Sequence, residues 1–272
     1  AYHIPCDEIN SLLRDRFNNI WLGSIGGGVL MIDTKQSPFA FYSLNLAEDD
    51  VPTTAVRALF ADADKDLWLG TGSYGLARKD YETGVLSFFS HIPEFSDIPS
   101  VPTVNYIIQR KNGEVWFATY DGGILIYEKG EKVKVLTESD TPYLYSDCVS
   151  ALCEDSKGNC WVGCRGGMGI SLADGGHYRF GTLSFAGGGL ADWYHVKDIV
   201  EDADGSFWIA TANYGIIHIM GDVLHPETLK YSNYSYNNGQ LATNSVLCLH
   251  VDKSGRLWAG TEGGGLYLYD YK

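Results

Sequence analysis

Six cysteines are the first candidates for chemistry: Cys6, Cys148, Cys153, Cys160, Cys164 and Cys248. Four of them fall between positions 148 and 164. Structural zinc usually takes thiolates in Cys-x-x-Cys pairs, and no such spacing occurs. A Cys153–Cys160 disulfide, with the two facing each other across a hairpin built on Asp-Ser-Lys-Gly, would suit an oxidising compartment. The seven histidines form neither His-x-x-x-His nor His-Glu-x-x-His, so no metal ligand set is expected. The tripeptide Trp193-Tyr194-His195 follows a Gly-rich stretch, FAGGGLAD. An aromatic platform suits the flat C–H face of a sugar, whose hydroxyls also need planar polar partners. Arg165, Lys197 and Asn213 offer those partners, and the two cations favour an anionic sugar or a carboxylate. A glycosidase would need two carboxylates flanking a scissile bond. Asp7, Asp121, Asp147 and Glu262 are available, but nothing in their spacing selects a pair. The expectation is therefore a binding site, with no catalytic residues and no cofactor.

The elements that position these residues emerge from the tryptophans. Trp21, Trp68, Trp116, Trp161, Trp208 and Trp258 are separated by 47, 48, 45, 47 and 50 residues. Twelve before each stands an apolar residue (Ile9, Val56, Val104, Val149, Val196, Val246), and nine before stands another (Leu12, Leu59, Ile107, Leu152, Ile199, Leu249). Six before, five copies have Asp and the third has Arg110. Three before, four copies have Gly, while Asn18 and Lys65 depart. Asp-x-x-Gly is a tight turn: Asp bonds local amides and Gly takes the positive φ. Lys65 takes that geometry only at a cost, which predicts a distorted second turn. Two after each Trp the residue is Gly or Ala, and a further Gly lies about seven after.

Each copy thus reads as strand, turn, strand, Gly turn, strand, then a variable fourth strand. The first two strands are apolar on both faces, as in Leu67-Trp68-Leu69, which places each sheet between two others. Four-stranded units of about 45 residues stacked face to face are β-propeller blades. The expected fold is all-β: one domain over 1–272, six-bladed or part of a seven-bladed ring, with Ala1-Tyr2-His3 as a possible source of the sixth blade's missing strand. The repeats also place Cys153, Cys160 and His250 in slots filled elsewhere by Leu, Ile, Val and Phe. Free buried thiols and a buried, satisfied histidine are the expectation there.

Ligands of such a scaffold are expected where loops enter the first strand and join the second to the third. Eleven before Trp, the otherwise apolar strand carries Asn10, Arg57, Asn105, Ser150, Lys197 and Leu247. The second-to-third loops add Tyr74, Tyr120, Asp121, Arg165, Asn213, Tyr214 and Glu262. The candidate ligand residues are Arg57, Tyr74, Asn105, Tyr120 and Asp121, then Arg165, Trp193, Tyr194, His195 and Lys197, then Asn213, Tyr214 and Glu262.

The pattern Val-x-x-Leu…Asp-x-x-Gly-x-x-Trp-x-Gly-Thr…Gly-Gly resembles the two-component regulator propeller repeat. It is clearest in VSALCEDSKGNCWVGCRGGMG and VLCLHVDKSGRLWAGTEGGGLYLYD. The resemblance implies a periplasmic sensor domain of a Bacteroidetes-type hybrid two-component system that recognises oligosaccharides from polysaccharide breakdown. Such sensors usually add a second propeller, a small β-sandwich, a membrane helix and a kinase, none of which is in this sequence. A fragment or a stand-alone relative is therefore expected, with a homodimer as a possible assembly. The alternatives are a propeller glycoside hydrolase or polysaccharide lyase, or a protein-interaction platform. Composition narrows the partners further. With 45% apolar residues the chain has material for a core. A net charge of −14 argues against nucleic acid. No apolar run is long enough to span a membrane as a helix, so no direct membrane insertion is expected. The first residue is Ala, which suggests a processed or trimmed chain.

Overall fold

The computed structural model describes residues 9–271 except 18, 26–27, 33–39, 43–54, 73, 181–183, 186–187, 190–194, 223–224, 226–227 and 270. The chain divides into two compact units, Ala1–Val135 and Leu136–Lys272. Three blades belong to each.

In the first unit, blade one is β1 (Ile9–Arg14), β2 (Ile20–Ser24), β3 (Gly28–Ile32) and β4 (Ala40–Tyr42). Blade two is β5 (Val56–Ala61), β6 (Leu67–Thr71), β7 (Leu76–Lys79) and β8 (Leu86–Phe88), followed by two 3-10 turns, Phe89–His91 and Pro93–Phe95. Blade three is β9 (Val104–Gln109), β10 (Val115–Thr119), β11 (Ile124–Tyr127) and β12 (Lys134–Leu136), which ends at the boundary. In the second unit, blade four is β13 (Val149–Glu154), β14 (Cys160–Cys164), β15 (Gly167–Ser171) and β16 (His177–Phe180). A two-residue ladder, β17 (Ser184–Phe185) with β18 (Gly188–Gly189), precedes blade five. Blade five is β19 (Val196–Glu201), β20 (Phe207–Thr211), β21 (Ile216–Met220) and β22 (Lys230–Tyr234). Blade six shows three strands among the described residues: β23 (Val246–Val251), β24 (Leu257–Thr261) and β25 (Gly265–Leu268). Ala1-Tyr2-His3, expected as a source of its fourth strand, lie outside the described residues. Every sheet is antiparallel in chain order.

The six tryptophans sit on the second strands, and β6, β10, β14 and β20 are buried along both faces. The small residue two after Trp receives the next blade. A Cβ on Gly70 would lie 2.8 Å from Val104 Cγ1, and one on Gly163 would collide with Val196. Within each unit the first strands of successive blades adjoin, β5 with β1 and β9, and β19 with β13 and β23.

Each first strand is broken by a β-bulge. Register shifts fall between Ile9 and Ser11, Val56 and Ala58, Val149 and Ala151, Val196 and Asp198, and Val246 and Cys248. In blade three the partners step from Val104–Thr119 to Tyr106–Ala118. The extra residue is in every case the one eleven before Trp. A bulge lets residues twelve and nine before Trp, an odd number apart, both point into the core. Val149 and Leu152 do so, as do Val196 and Ile199.

The repeated Asp does more than make the turn. In blade four, Asp155 Oδ1 accepts the N–H groups of Lys157 and Asn159, while Oδ2 accepts Asn159 Nδ2 and, at 3.1 Å, the indole N–H of Trp161. The same indole bond forms in blades one, two, five and six at 2.8–3.0 Å. Burying an indole requires a partner for its N–H, and a six-residue spacing across the turn supplies one. Blade three has Arg110 in place of Asp. There Glu114 Oε2 accepts Trp116 Nε1 at 2.9 Å and the Arg110 guanidinium lies 4.8 Å over the indole ring.

Three expectations are corrected. The second turn is regular, not distorted: Lys65 adopts φ +80°, its N–H bonds Asp62 O at 3.0 Å, and its ammonium rests 4.5 Å over the Tyr81 ring. Cys153 and Cys160 do not face each other, since Cys153 pairs with Trp161 and Cys160 with Glu154. A one-residue offset puts the two on opposite faces of the sheet. Cys148, Cys153, Cys160, Cys164 and Cys248 are free thiols. His250 is exposed, not buried; its slot is only half-buried even in the other blades, at Leu13, Phe60, Ile108, Cys153 and Val200.

Candidate functional site

One end of blades two to six gathers the bulge residue and the loop joining the second and third strands. A single repeated hydrogen bond does this. The N–H after the second strand reaches the carbonyl just before the first: Gly72 to Ala55, Tyr120 to Thr103, Arg165 to Cys148, Ala212 to His195, and Glu262 to Ser245, at 2.9–3.0 Å. The bulge side chain is two residues beyond each of those carbonyls.

In the first unit, Arg57 is exposed on its bulge, with Gly72 beside its guanidinium, and Asn105 is half-buried on the next. Thr103 Oγ1 donates to Gly72 O at 2.7 Å and links these two blades at that end. Tyr120 and Asp121 are exposed in the third blade's loop. Tyr74 instead packs into the core, edge-on to Phe88 at 6.1 Å.

The second unit brings more of the candidates together. Arg165 and His195 pair through their backbones across blades four and five. Ala212, whose N–H bonds His195 O, precedes Asn213, and Lys197 is on the adjacent bulge. Arg165 and Asn213 are exposed; His195 and Lys197 are half-buried. His195 Nε2 is buried and has no hydrogen-bond partner. Burial, then the positive charges of Lys197 and Arg165, push its pKa down to about 4, so the ring is neutral at pH 7. A buried polar atom without a partner calls for an explanation. Trp193 and Tyr194 lie outside the described residues. Tyr214 packs on the core, and its carbonyl accepts Asn233 Nδ2. Glu262 is exposed in blade six and accepts Ser245 Oγ at 2.9 Å. Ser150, the fourth blade's bulge residue, is buried, and its Oγ donates to Val196 O in blade five.

Among the carboxylates weighed for catalysis, Asp147 accepts the N–H of Glu138 at 2.6 Å, and Asp7 lies outside the described residues. No group of three His, Cys, Asp or Glu residues able to hold a metal occurs among the described residues. No helix among them is long and apolar enough to cross a membrane.

A family model for the two component regulator propeller matches residues 3–26, 146–166 and 240–263. Those are the first-strand and Trp segments of blades one, four and six. Three of the six repeats carry that match. Among solved structures it resembles the extracellular domain of a B. thetaiotaomicron protein named as a hybrid two component system, at 20% identity and a TM-score of 0.64, over 98% of this chain and 38% of that one. Virginiamycin B lyase from Staphylococcus aureus is similar at 13% identity and a TM-score of 0.71, over 97% of this chain and 82% of that one. A β-propeller domain from Myceliophteria thermophila is similar at 12% identity and a TM-score of 0.62, over 99% and 88%. At such identities the likeness shows the fold, a β-propeller. The chain spans under two fifths of the length of the two-component neighbour. No curated protein matches the sequence.

Proposed function

We propose that this chain is a non-catalytic, periplasmic ligand-binding module of a two-component sensor, and that its ligand is an oligosaccharide carrying a carboxylate. The remainder of such a sensor would carry the second propeller, β-sandwich, membrane helix and kinase, and the output would come from there. The observation that carries this reading is the corner formed by Arg165, His195 and Lys197. Two cations flank a buried imidazole nitrogen that has no partner. A carboxylate can accept from both cations and from an Nε2–H donor, and this would give the buried nitrogen its partner. Trp193 and Tyr194, next in the chain, would supply the aromatic face for the sugar ring, and Asn213 a hydroxyl partner. Glu262, at the matching end of blade six, would contact a further sugar unit; Arg57, Asn105, Tyr120 and Asp121 occupy that end of their own blades in the first unit and would form a contact surface of their own, with Tyr74 and Tyr214 each holding loop shape in its own unit. Signal transfer then requires only that the ligand prefer one conformation of the larger sensor.

Thermal unfolding against a panel of neutral and uronic-acid oligosaccharides tests this. A ligand at about 100 times its Kd adds roughly 2.7 kcal/mol, which for a domain of this size raises Tm by about 5–10 °C. The uronic-acid members should shift Tm and their neutral counterparts should shift it less. No shift with any member refutes the saccharide reading for this chain.

A further inference from the structure

The opposite end of the first unit holds a cleft of 490 Å³ between blades one and two. It lies at the Asp turns, a strand length away from the bulges. Its volume falls in the range of small-molecule sites. Leu13, Trp21, Met31 and Leu67 give it an apolar lining. Phe17 and Tyr81, one from each blade, stack with centroids 6.0 Å apart and planes 5° from parallel, and both are exposed.

Four cations line the same cleft: Arg14, Arg16, Lys65 and Lys79. Arg16 lies 5.5 Å over the Phe17 ring and Lys65 lies 4.5 Å over Tyr81, and neither forms an ion pair with a carboxylate among the described residues. Lys79 sits 5.7 Å over Trp21, and burial pushes its ammonium below the ordinary lysine value. Three carboxylates also line the cleft, but they are committed elsewhere. Asp15 holds its own turn and Trp21 Nε1, Asp62 holds the Asp66 N–H and Trp68 Nε1, and Asp80 accepts both N–H and Oγ1 of Thr83.

We propose that this cleft binds a small aromatic carboxylate. Its ring would lie on the apolar lining beside the stacked pair of Phe17 and Tyr81, and its carboxylate would meet Lys65, Lys79 and Arg16. An aromatic body fits better than a saccharide. Sugar hydroxyls lose water on entry and need partners, and Leu13, Trp21, Met31 and Leu67 supply none. An aromatic ring needs no such partners and can meet these rings edge-on, while the carboxylate gains charge-assisted bonds.

Calorimetric titration of the whole chain with 2-naphthoate, and with the neutral 2-naphthalenemethanol, tests the site. Naphthoate should bind at least tenfold tighter than the alcohol. Lys79→Met and Lys65→Met, which keep the apolar stems, should each weaken naphthoate about tenfold and leave the alcohol nearly unchanged. Tyr81→Ala should weaken both ligands. Lys197→Met, in the other unit, should weaken neither, which separates this site from the saccharide site. Absence of naphthoate binding, equal affinity for acid and alcohol, or indifference to both lysine substitutions would overturn the proposal.

Discussion

The Asp–Trp hydrogen bond shows how one side chain fixes both a turn and a core. Asp155 is 2% exposed and satisfies two amides, an Asn side chain and an indole. Asp155→Ala leaves those buried donors without a partner and should cost about 3 kcal/mol, measured by urea unfolding. Glu114→Ala removes the substitute acceptor in blade three and should cost about 1 kcal/mol; adding Arg110→Asp should recover most of it, because the ordinary geometry then becomes available. His195 carries a pH signature. Its pKa falls from the ordinary 6.5 to about 4 on folding, so the unfolded chain takes up that proton first. Stability contributed by the neutral ring is complete above pH 6.5, declines as pH falls towards 4, and changes no further below it. The variant His195→Gln should therefore lose less stability than wild type between pH 7 and pH 4.5, and equal losses would contradict the burial of this ring. The Asp turn was legible in the sequence, but its indole bond was not, although the fixed six-residue spacing was its signal. The exposed His250 was misread because the slot is apolar in the other blades and only half covered in them.

At the scale of the element, the first strand depends on its bulge and on the glycine that receives it. The alternation of side chains forbids two positions three apart from sharing a face in a regular strand. The apolar residues twelve and nine before each Trp therefore already required an extra residue between them, and this signal was present in all six copies. Strand order, hairpins and the Trp–small pairing followed directly from the repeats, because six aligned copies average out local irregularities. The Cys153–Cys160 offset did not follow, since it depends on register across a single hairpin. A blade-to-blade prediction rests on Gly163. Gly163→Ala forces a methyl into Val196 and should destabilise by about 1–3 kcal/mol through overpacking. Val196→Ala in the same chain should offset much of that loss. If the double variant is instead less stable than either single one, Gly163 is not the receiving slot for Val196.

For the whole molecule, the sequence made the propeller architecture plain, because repetition is a global property. The candidate sites were legible in unequal measure. The bulge-end residues were found because the repeats align them. The cleft of the first unit was not, because Arg16, Lys65 and Lys79 come from different turns and strand ends with no shared repeat position. A net charge of −14 also makes local cations informative, since an anionic ligand must find them against an unfavourable long-range field. The most direct test of the sensor reading is calorimetric titration of a uronic-acid oligosaccharide into wild type, into Arg165→Met with Lys197→Met, and into Lys79→Met. The account predicts saturable binding that weakens at least tenfold in the Arg165–Lys197 double variant and is unchanged in Lys79→Met. Equal affinity in all three proteins, or no binding to wild type, would contradict it.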